Sequence, residues 1–179
     1  LERQAEAVGL PLQIISLPCP CSNAQYETAM EKFIEESRLA GIECMAFGDL
    51  FLQDIREYRE AKLAGTGITP LFPLWKMPTD LLAREMISSG LRAMISCVDP
   101  QHLPASFAGR EFNEALLAAL PGEVDRCGER GEFHTFAFDG PMFSKPVDIR
   151  VGEIVEREGF VYADLLPAST RRDVSNARV

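Results

Sequence analysis

Two continuous apolar runs constrain the fold of this chain most: LQIISL at residues 12–17 and IECMAF at residues 42–47. They stand about thirty residues apart, and the stretch between them has helical rather than alternating periodicity. Runs apolar on both faces suit strands covered by helices on either side. Ser22, with Gln25 three residues on, has the capping-box spacing and opens the intervening helix. Tyr26, Ala29, Met30, Phe33 and Ile34 would form its buried stripe, and Gly41 would close it. A further helix is expected from about Leu50 to Ala64, ended by Gly65-Thr66-Gly67. Strand, helix and strand in this order predict a parallel α/β sheet, in which ligands bind beyond the carboxyl ends of the strands. Gly48-Asp49 follows the second run at such an end. Asp49 also suits the plainer role of helix N-cap.

The rest of the chain reads differently. Leu1, Ala5 and Val8 fall at helical spacing before Gly9, so the chain is expected to begin inside a helix. Residues 69–75, TPLFPLW, carry two prolines and read as an extended linker ending in the one tryptophan, Trp75. A helix from Thr79 to about Ser89 uses Leu82 and Met86, residues 93–98 form a strand, and residues 110–120 form a helix bearing Phe112, Leu116 and Ala119. Residues 147–156 and 160–166 suggest an antiparallel hairpin, placed beside a strand at residues 132–139. The expected division is residues 1–75 as the parallel α/β part, 76–168 as a smaller α+β part, and 169–179 as a polar tail.

Residues 127–143, CGERGEFHTFAFDGPMF, concentrate the chemistry. Gly128 and Gly131 bracket Glu129 and Arg130, which allows a tight turn with amides free to meet an anion. In the strand that follows, Phe133, Thr135, Ala137 and Asp139 share one face, and His134, Phe136 and Phe138 the other. Asp139-Gly140-Pro141 ends the run. Two carboxylates and an imidazole therefore cluster at the mouth of a strand. An ordinary loop and a core histidine explain the same residues without function.

With 18 basic and 27 acidic residues the net charge is −9, which disfavours nucleic acid as a partner. No apolar run approaches the ~20 residues that span a membrane. No charged segment followed by an apolar one opens the chain, and five scattered cysteines read as reduced thiols; both place it in the cytoplasm. Two histidines and this cysteine spacing predict no metal site built on the thiols.

The block at residues 127–143, together with PCSNAQYE, FGDL…EYRE and PLW in that order, resembles the diphthine–ammonia ligase family of ATP pyrophosphatases. The FHTF form is similar to prokaryotic members. The resemblance implies a Rossmann-like nucleotide-binding domain and an ATP-dependent ligase: a carboxyl group is activated as an acyl-adenylate, and ammonia displaces AMP to leave an amide. It implies ATP and Mg²⁺, a carboxylate-bearing acceptor and ammonia as partners. Glu129, Glu132 and His134 would then be catalytic, and Gly48, Asp49, Tyr58, Arg59, Trp75, Gly128, Gly131 and Thr135 would bind the nucleotide. Asp49, Trp75 and the loop at 128–135 would line one interface. The family's SGGxDS phosphate loop has no counterpart in this sequence, which is expected to begin beyond it. A non-catalytic nucleotide-binding or scaffold domain is the other reading. With Asp49, Glu57, Tyr58 and Arg59 would face the same crevice; a solvated helix face at residues 57–60 is the plainer alternative.

Overall fold

A computed structural model describes residues 1–168. The chain forms two compact units, one from Leu12–Thr79 and one from Leu1–Pro11 together with the chain from Asp80 onward. The polar tail expected at residues 169–179 lies outside the described residues.

In the Leu12–Thr79 unit, helix α2 (Asn23–Leu39) begins at the predicted box; α1 (Glu2–Val8) belongs to the other unit. The Gln25 amide donates to Ser22 Oγ at 3.3 Å, and the Ser22 amide donates to Gln25 Oε1 at 2.9 Å. Strand β1 (Cys44–Ala46), helix α3 (Gln53–Leu63) and strand β2 (Thr69–Leu71) follow, with β1 and β2 parallel and Met45 opposite Pro70. This is a strand–helix–strand crossover in miniature. The expected linker at 69–75 is therefore strand for its first three residues. Proline is tolerated there because β2 pairs on one side only among the described residues.

The strand expected at residues 12–17 does not form. Those residues have no regular structure, and Leu12, Ile14 and Leu17 are exposed. An apolar run becomes a strand only when a neighbour supplies a ladder, and among the described residues none does.

The other unit is a four-stranded antiparallel sheet in the order β4-β3-β6-β5, from β3 (Arg92–Val98), β4 (Phe133–Asp139), β5 (Ile149–Arg157) and β6 (Phe160–Pro167). Both faces are covered. On one, Ala83 of α4 (Thr79–Ser88), Ile95 and Val98 of β3, Leu116 of α5 (Glu114–Ala119) and Phe133 pack in a single cluster. On the other, Phe138 and Val147 pack with Ala7 of α1 (Glu2–Val8), flanked by Phe136 and Phe143. The predicted alternation of β4 holds, since Phe133 and Ala137 serve the first cluster and Phe136 and Phe138 the second. In α1 the buried residue is Ala7, rather than Leu1, which is 83% exposed.

Two expectations are corrected here. The hairpin lies beside β3, not beside the residue 132–139 strand, because Cys97 and Val98 pair with Tyr162 and Val161 while the other edge of β3 takes β4. Its turn is Glu158-Gly159, both at positive φ (52° and 83°), as a two-residue hairpin of matching twist requires. The helix expected at residues 110–120 is only Glu114–Ala119. Asn113 caps it, accepting from the Leu116 amide at 2.9 Å, and residues 110–112 run extended along β3. The Ile95 amide donates to the Arg110 carbonyl at 2.8 Å, and the Phe112 amide to that of Ala93 at 2.8 Å.

Candidate functional site

The candidate residues fall into two sets, one in each unit. The first lies on the loop that feeds β4. This loop is tied by two buried carboxylates, Asp125 and Glu132. Glu132 is only 3% exposed, and each of its oxygens receives an amide: Asp125 N–H donates to Oε1 at 2.9 Å and Arg130 N–H to Oε2 at 3.0 Å. Asp125 Oδ1 alone receives two, from Cys127 at 2.9 Å and Glu129 at 3.2 Å. Gly128 donates to the Asp125 carbonyl and Gly131 to that of Gly128. Every amide from 127 to 131 thus has an acceptor within the loop. The sequence suggested a turn whose amides await an external anion; the chain's own carboxylates occupy that position. On this loop Asp125 is the residue that sequence reasoning missed. An acidic residue two positions before Cys127-Gly128, poised to receive the amides ahead of it, was the available signal.

Gly128 is held at φ +70°, and a Cβ there would fall 2.7 Å from the Phe133 carbonyl oxygen, so no larger residue fits without a shift. Beyond the loop, His134 and Thr135 are exposed on β4, and Glu129 is half-buried. Ser96, at a bulge in β3, donates its hydroxyl to the His134 carbonyl at 3.2 Å. Burial pushes the Cys127 thiol up to about 12, with Asp125 and Glu129 adding to the rise. At neutral pH it is a packing group, not a nucleophile.

The second set is in the Leu12–Thr79 unit. Gly48 and Asp49 follow the carboxyl end of β1. Asp49 is not the N-cap of α3; Leu52 holds that position. Instead it meets Arg59 as a bidentate pair, with Nε 2.7 Å from Oδ2 and Nη2 3.2 Å from Oδ1. The Arg59 guanidinium lies 4.5 Å from the Phe47 ring centre. Tyr58 and Arg59 line an apolar recess with Tyr26, Met30, Met45 and Phe47. Trp75 packs edge-on against Phe72, and the Arg56 guanidinium covers both rings at 4.7 and 4.8 Å. Arg56 was not among the residues singled out from the sequence, although an arginine one helical turn from a candidate residue on an aromatic-flanked helix is a stacking signal.

Among the described residues no three or more His, Cys, Asp or Glu side chains are grouped to hold a metal ion. No helix is long and apolar enough to cross a membrane among them. All five cysteines are unbridged.

Residues 78–165, which include the β4 loop, match the family model for the diphthamide synthase C-terminal domain. The diphthine–ammonia ligase of Danio rerio is 35% identical over 171 residues, covering 84% of this chain and 65% of its own length. That of Homo sapiens is 36% identical over 101 residues, covering 54% of this chain and 38% of its own length. The Schizosaccharomyces pombe protein of the same name is 32% identical over 94 residues. The chain thus spans less than two thirds of the length of these relatives. With the block in its place at the entry to β4 and every one of these relatives carrying one name, this chain belongs to the diphthine–ammonia ligase family.

Proposed function

We propose that this chain is the part of an ATP-dependent, amide-forming ligase that carries the acceptor and ammonia chemistry. The observation that carries the reading is the β4 loop: a self-tied scaffold that leaves His134 and Thr135 open to solvent and Glu129 at its bend. In the first half-reaction a carboxylate oxygen of the acceptor attacks the α-phosphorus of ATP, and the bond to pyrophosphate breaks. In the second, the ammonia lone pair attacks the acyl carbon and AMP leaves with the electron pair of the broken C–O bond. The nitrogen must then shed a proton.

The exposed imidazole of His134 suits that transfer. Glu129 suits orientation of an ammonium ion before it loses its proton. Thr135 offers a hydroxyl to a phosphate or ribose. For Glu132 the engagement of both oxygens supports a positioning role over a chemical one. The same filled amides argue against Gly128 and Gly131 as a triphosphate cradle.

Gly48, the Asp49–Arg59 pair, Tyr58 and Trp75 remain the candidates for nucleotide contact. The strand–helix–strand of β1, α3 and β2 supports a Rossmann-like ancestry for that unit. When bound, Mg²⁺ would neutralise phosphate charge, but this chain's described residues present no donor set fitted to it. Free cysteines support a reducing compartment such as the cytoplasm.

The test supplies the intact gene product with ATP, ammonium and carboxylate-bearing acceptors, and follows AMP, pyrophosphate and amide by mass spectrometry. All three should appear in equal amounts and only when all substrates are present. ADP and phosphate in their place would overturn the adenylation reading. The 179 residues alone should bind ATP at best in the millimolar range, on the order of −4 kcal/mol, since the amides of the 127–131 loop are already taken by the chain's own acceptors. Micromolar binding by calorimetry would instead favour a nucleotide-binding domain complete in itself.

A further inference from the structure

We infer that Tyr162 is a further contact for the nitrogen nucleophile, its phenolic oxygen accepting an N–H of ammonia while His134, two strands away on the same face of the sheet, receives the proton that is shed. The inference rests on the ligase reading for its use, and on strand register and hydrogen bonding for its content.

Cys97 of β3 stands directly opposite His134 of β4 on one side and Tyr162 of β6 on the other. Residues so opposed share a face of the sheet. The bulge between Ile95 and Cys97 sets which face. It leaves Ile95 in the first cluster and turns Cys97 to the side of Met94 and Phe136, where His134 also points by alternation along β4. Exposure rises outward along this row. Cys97 is only 4% exposed, Tyr162 is half-buried and His134 is exposed. A thiol floor therefore lies between a phenol and an imidazole, whose Cα atoms stand about 10 Å apart, twice the spacing of adjacent strands.

The protons of the row are already committed. The Cys97 thiol donates to the Val98 carbonyl at 4.0 Å. With that proton engaged the sulfur can only accept, and its partner is the Tyr162 hydroxyl. Burial raises the Cys97 thiol above its ordinary range, and the neighbouring Cys97 raises the Tyr162 phenol, so both keep their protons. Donation to Cys97 draws the hydroxyl toward β3 and narrows the gap to His134. What Tyr162 then offers outward is oxygen lone pairs, and what a neutral imidazole offers is one acceptor nitrogen. Two acceptors on either side of one spot suit a small ligand rich in N–H donors. Charge agrees with this. Glu158, at the hairpin turn, acts on Tyr162 as a negative neighbour, and the opposing Arg157 is engaged with Asp164 at 3.5 Å.

In the amide-forming step, ammonia donates one N–H to Tyr162 while its lone pair forms the C–N bond to the acyl carbon. The C–O bond to AMP breaks with its electron pair left on AMP, and the proton that nitrogen sheds goes to His134. Tyr162 takes no proton and forms no bond to carbon. Its loss should therefore be felt in the capture of ammonia and not in that of ATP.

The experiment compares Tyr162→Phe and Cys97→Ala with the parent, each as the intact gene product. Initial rates of amide formation are read against ammonium and against ATP. In Tyr162→Phe the KM for ammonium should rise about fivefold, as loss of one hydrogen bond predicts, and the KM for ATP should move less than twofold. Cys97→Ala, which frees the hydroxyl to turn, should raise the ammonium KM by a smaller factor. Beside this, protein carrying ¹³C at the tyrosine ring carbon that bears oxygen is titrated with ammonium chloride. The signal absent from Tyr162→Phe identifies Tyr162, and in the parent it should shift saturably with ammonium chloride and stay in place with sodium chloride at equal ionic strength. An unmoved signal would overturn the inference, as would equal rises of both KM values in Tyr162→Phe. So would a raised ammonium KM in Cys97→Ala with none in Tyr162→Phe, since packing and not the phenolic oxygen would then be responsible. A parent that forms no amide from any acceptor would sink the ligase reading, and the titration would still decide whether Tyr162 meets the ion.

Discussion

The two units differ in how far their apolar side chains have left water. In the sheet-based unit, Ile95, Val98 and Leu116 are fully buried and sit in one continuous cluster with residues of α4, β4 and β6. In the Leu12–Thr79 unit, only Leu50, Leu63 and Ile68 are buried among apolar residues, none of them fully, and its long helix α2 buries no more than Ser37. Its supposed stripe of Met30, Phe33 and Ile34 is half-buried. The first unit is held by tertiary packing, and the second leans on local devices: a capping box, an ion pair under an aromatic ring, an arginine stacked on two rings. The loop at residues 125–132 borrows from both regimes. Its hydrogen bonds are local, but they form where Phe133 and Val124 are already buried, so water does not compete for them.

The largest expected effect tests the packing difference directly. Leu116→Ala empties a site with 0% exposure, and a loss of about 2–5 kcal/mol is expected. Ile34→Ala on α2 removes a comparable side chain from a half-buried place and should cost about 1 kcal/mol. Chemical denaturation gives both values, and Trp75, the one tryptophan of the chain, reports its own unit by fluorescence. Equal losses would erase the comparison.

Next in size is a contrast within the loop. Gly128→Ala combines a left-handed backbone with a Cβ 2.7 Å from a carbonyl oxygen, and roughly 3 kcal/mol should be lost. Gly131→Ala has the same backbone requirement at φ +86° but open space around the added atom. It should cost about 1 kcal/mol. If the two variants melt together, the close approach to Phe133 is not what holds the bend.

What was legible in the sequence follows the same division. The box at Ser22 and Gln25 and the two faces of β4 were readable because each is settled within a few residues. Residues 12–17 have the composition of a buried strand, yet a strand also needs a neighbour, and composition is silent about neighbours. The order β4-β3-β6-β5 was illegible for that reason: adjacency in sequence suggested the hairpin beside β4, whereas β3 takes both partners. Residues 110–112 look helical by period, and only the side chain of Asn113, capping three residues on, ends that reading. At the site, the glycines drew attention and the acceptors were missed. Gly128 and Gly131 announce a turn, but Asp125 and Glu132 decide what fills it.

The third prediction uses pH. The Cys127 thiol rises from the usual 9.0 to about 12 because burial and the nearby Asp125 and Glu129 penalise its thiolate. A group that holds its proton more tightly folded than unfolded stabilises the fold fully below the unfolded value. That contribution drains as pH climbs toward the folded one. Stability of the sheet-based unit should therefore decline between pH 9 and 12, and Cys127→Ala should flatten that decline. Alkylation at pH 8 should mark the exposed Cys19, Cys21 and Cys44 well before Cys127. A decline of identical slope in the variant would assign the alkaline sensitivity elsewhere.

The smallest effect is the sharpest probe of local stability. Ser22→Ala removes the acceptor of the Gln25 amide and half of a reciprocal pair. A cap of this kind contributes about 1 kcal/mol, which in exchange terms is roughly a fivefold change. The loss should be felt locally, because the buried apolar residues of that unit, Leu50, Leu63 and Ile68, lie outside α2 and leave its first turn to open by itself. Exchange should quicken at Gln25 and fade in effect toward Ser37, whose hydroxyl donates to the Phe33 carbonyl at 2.8 Å near the other end. The amides of β3 should not respond. In a unit held by packing, the same small loss would spread over every cooperative residue and shift the denaturation midpoint instead of one turn. A uniform rise along the whole of α2 would show that the helix opens only as a piece, and the contrast between a packed unit and a locally held one would have to be given up.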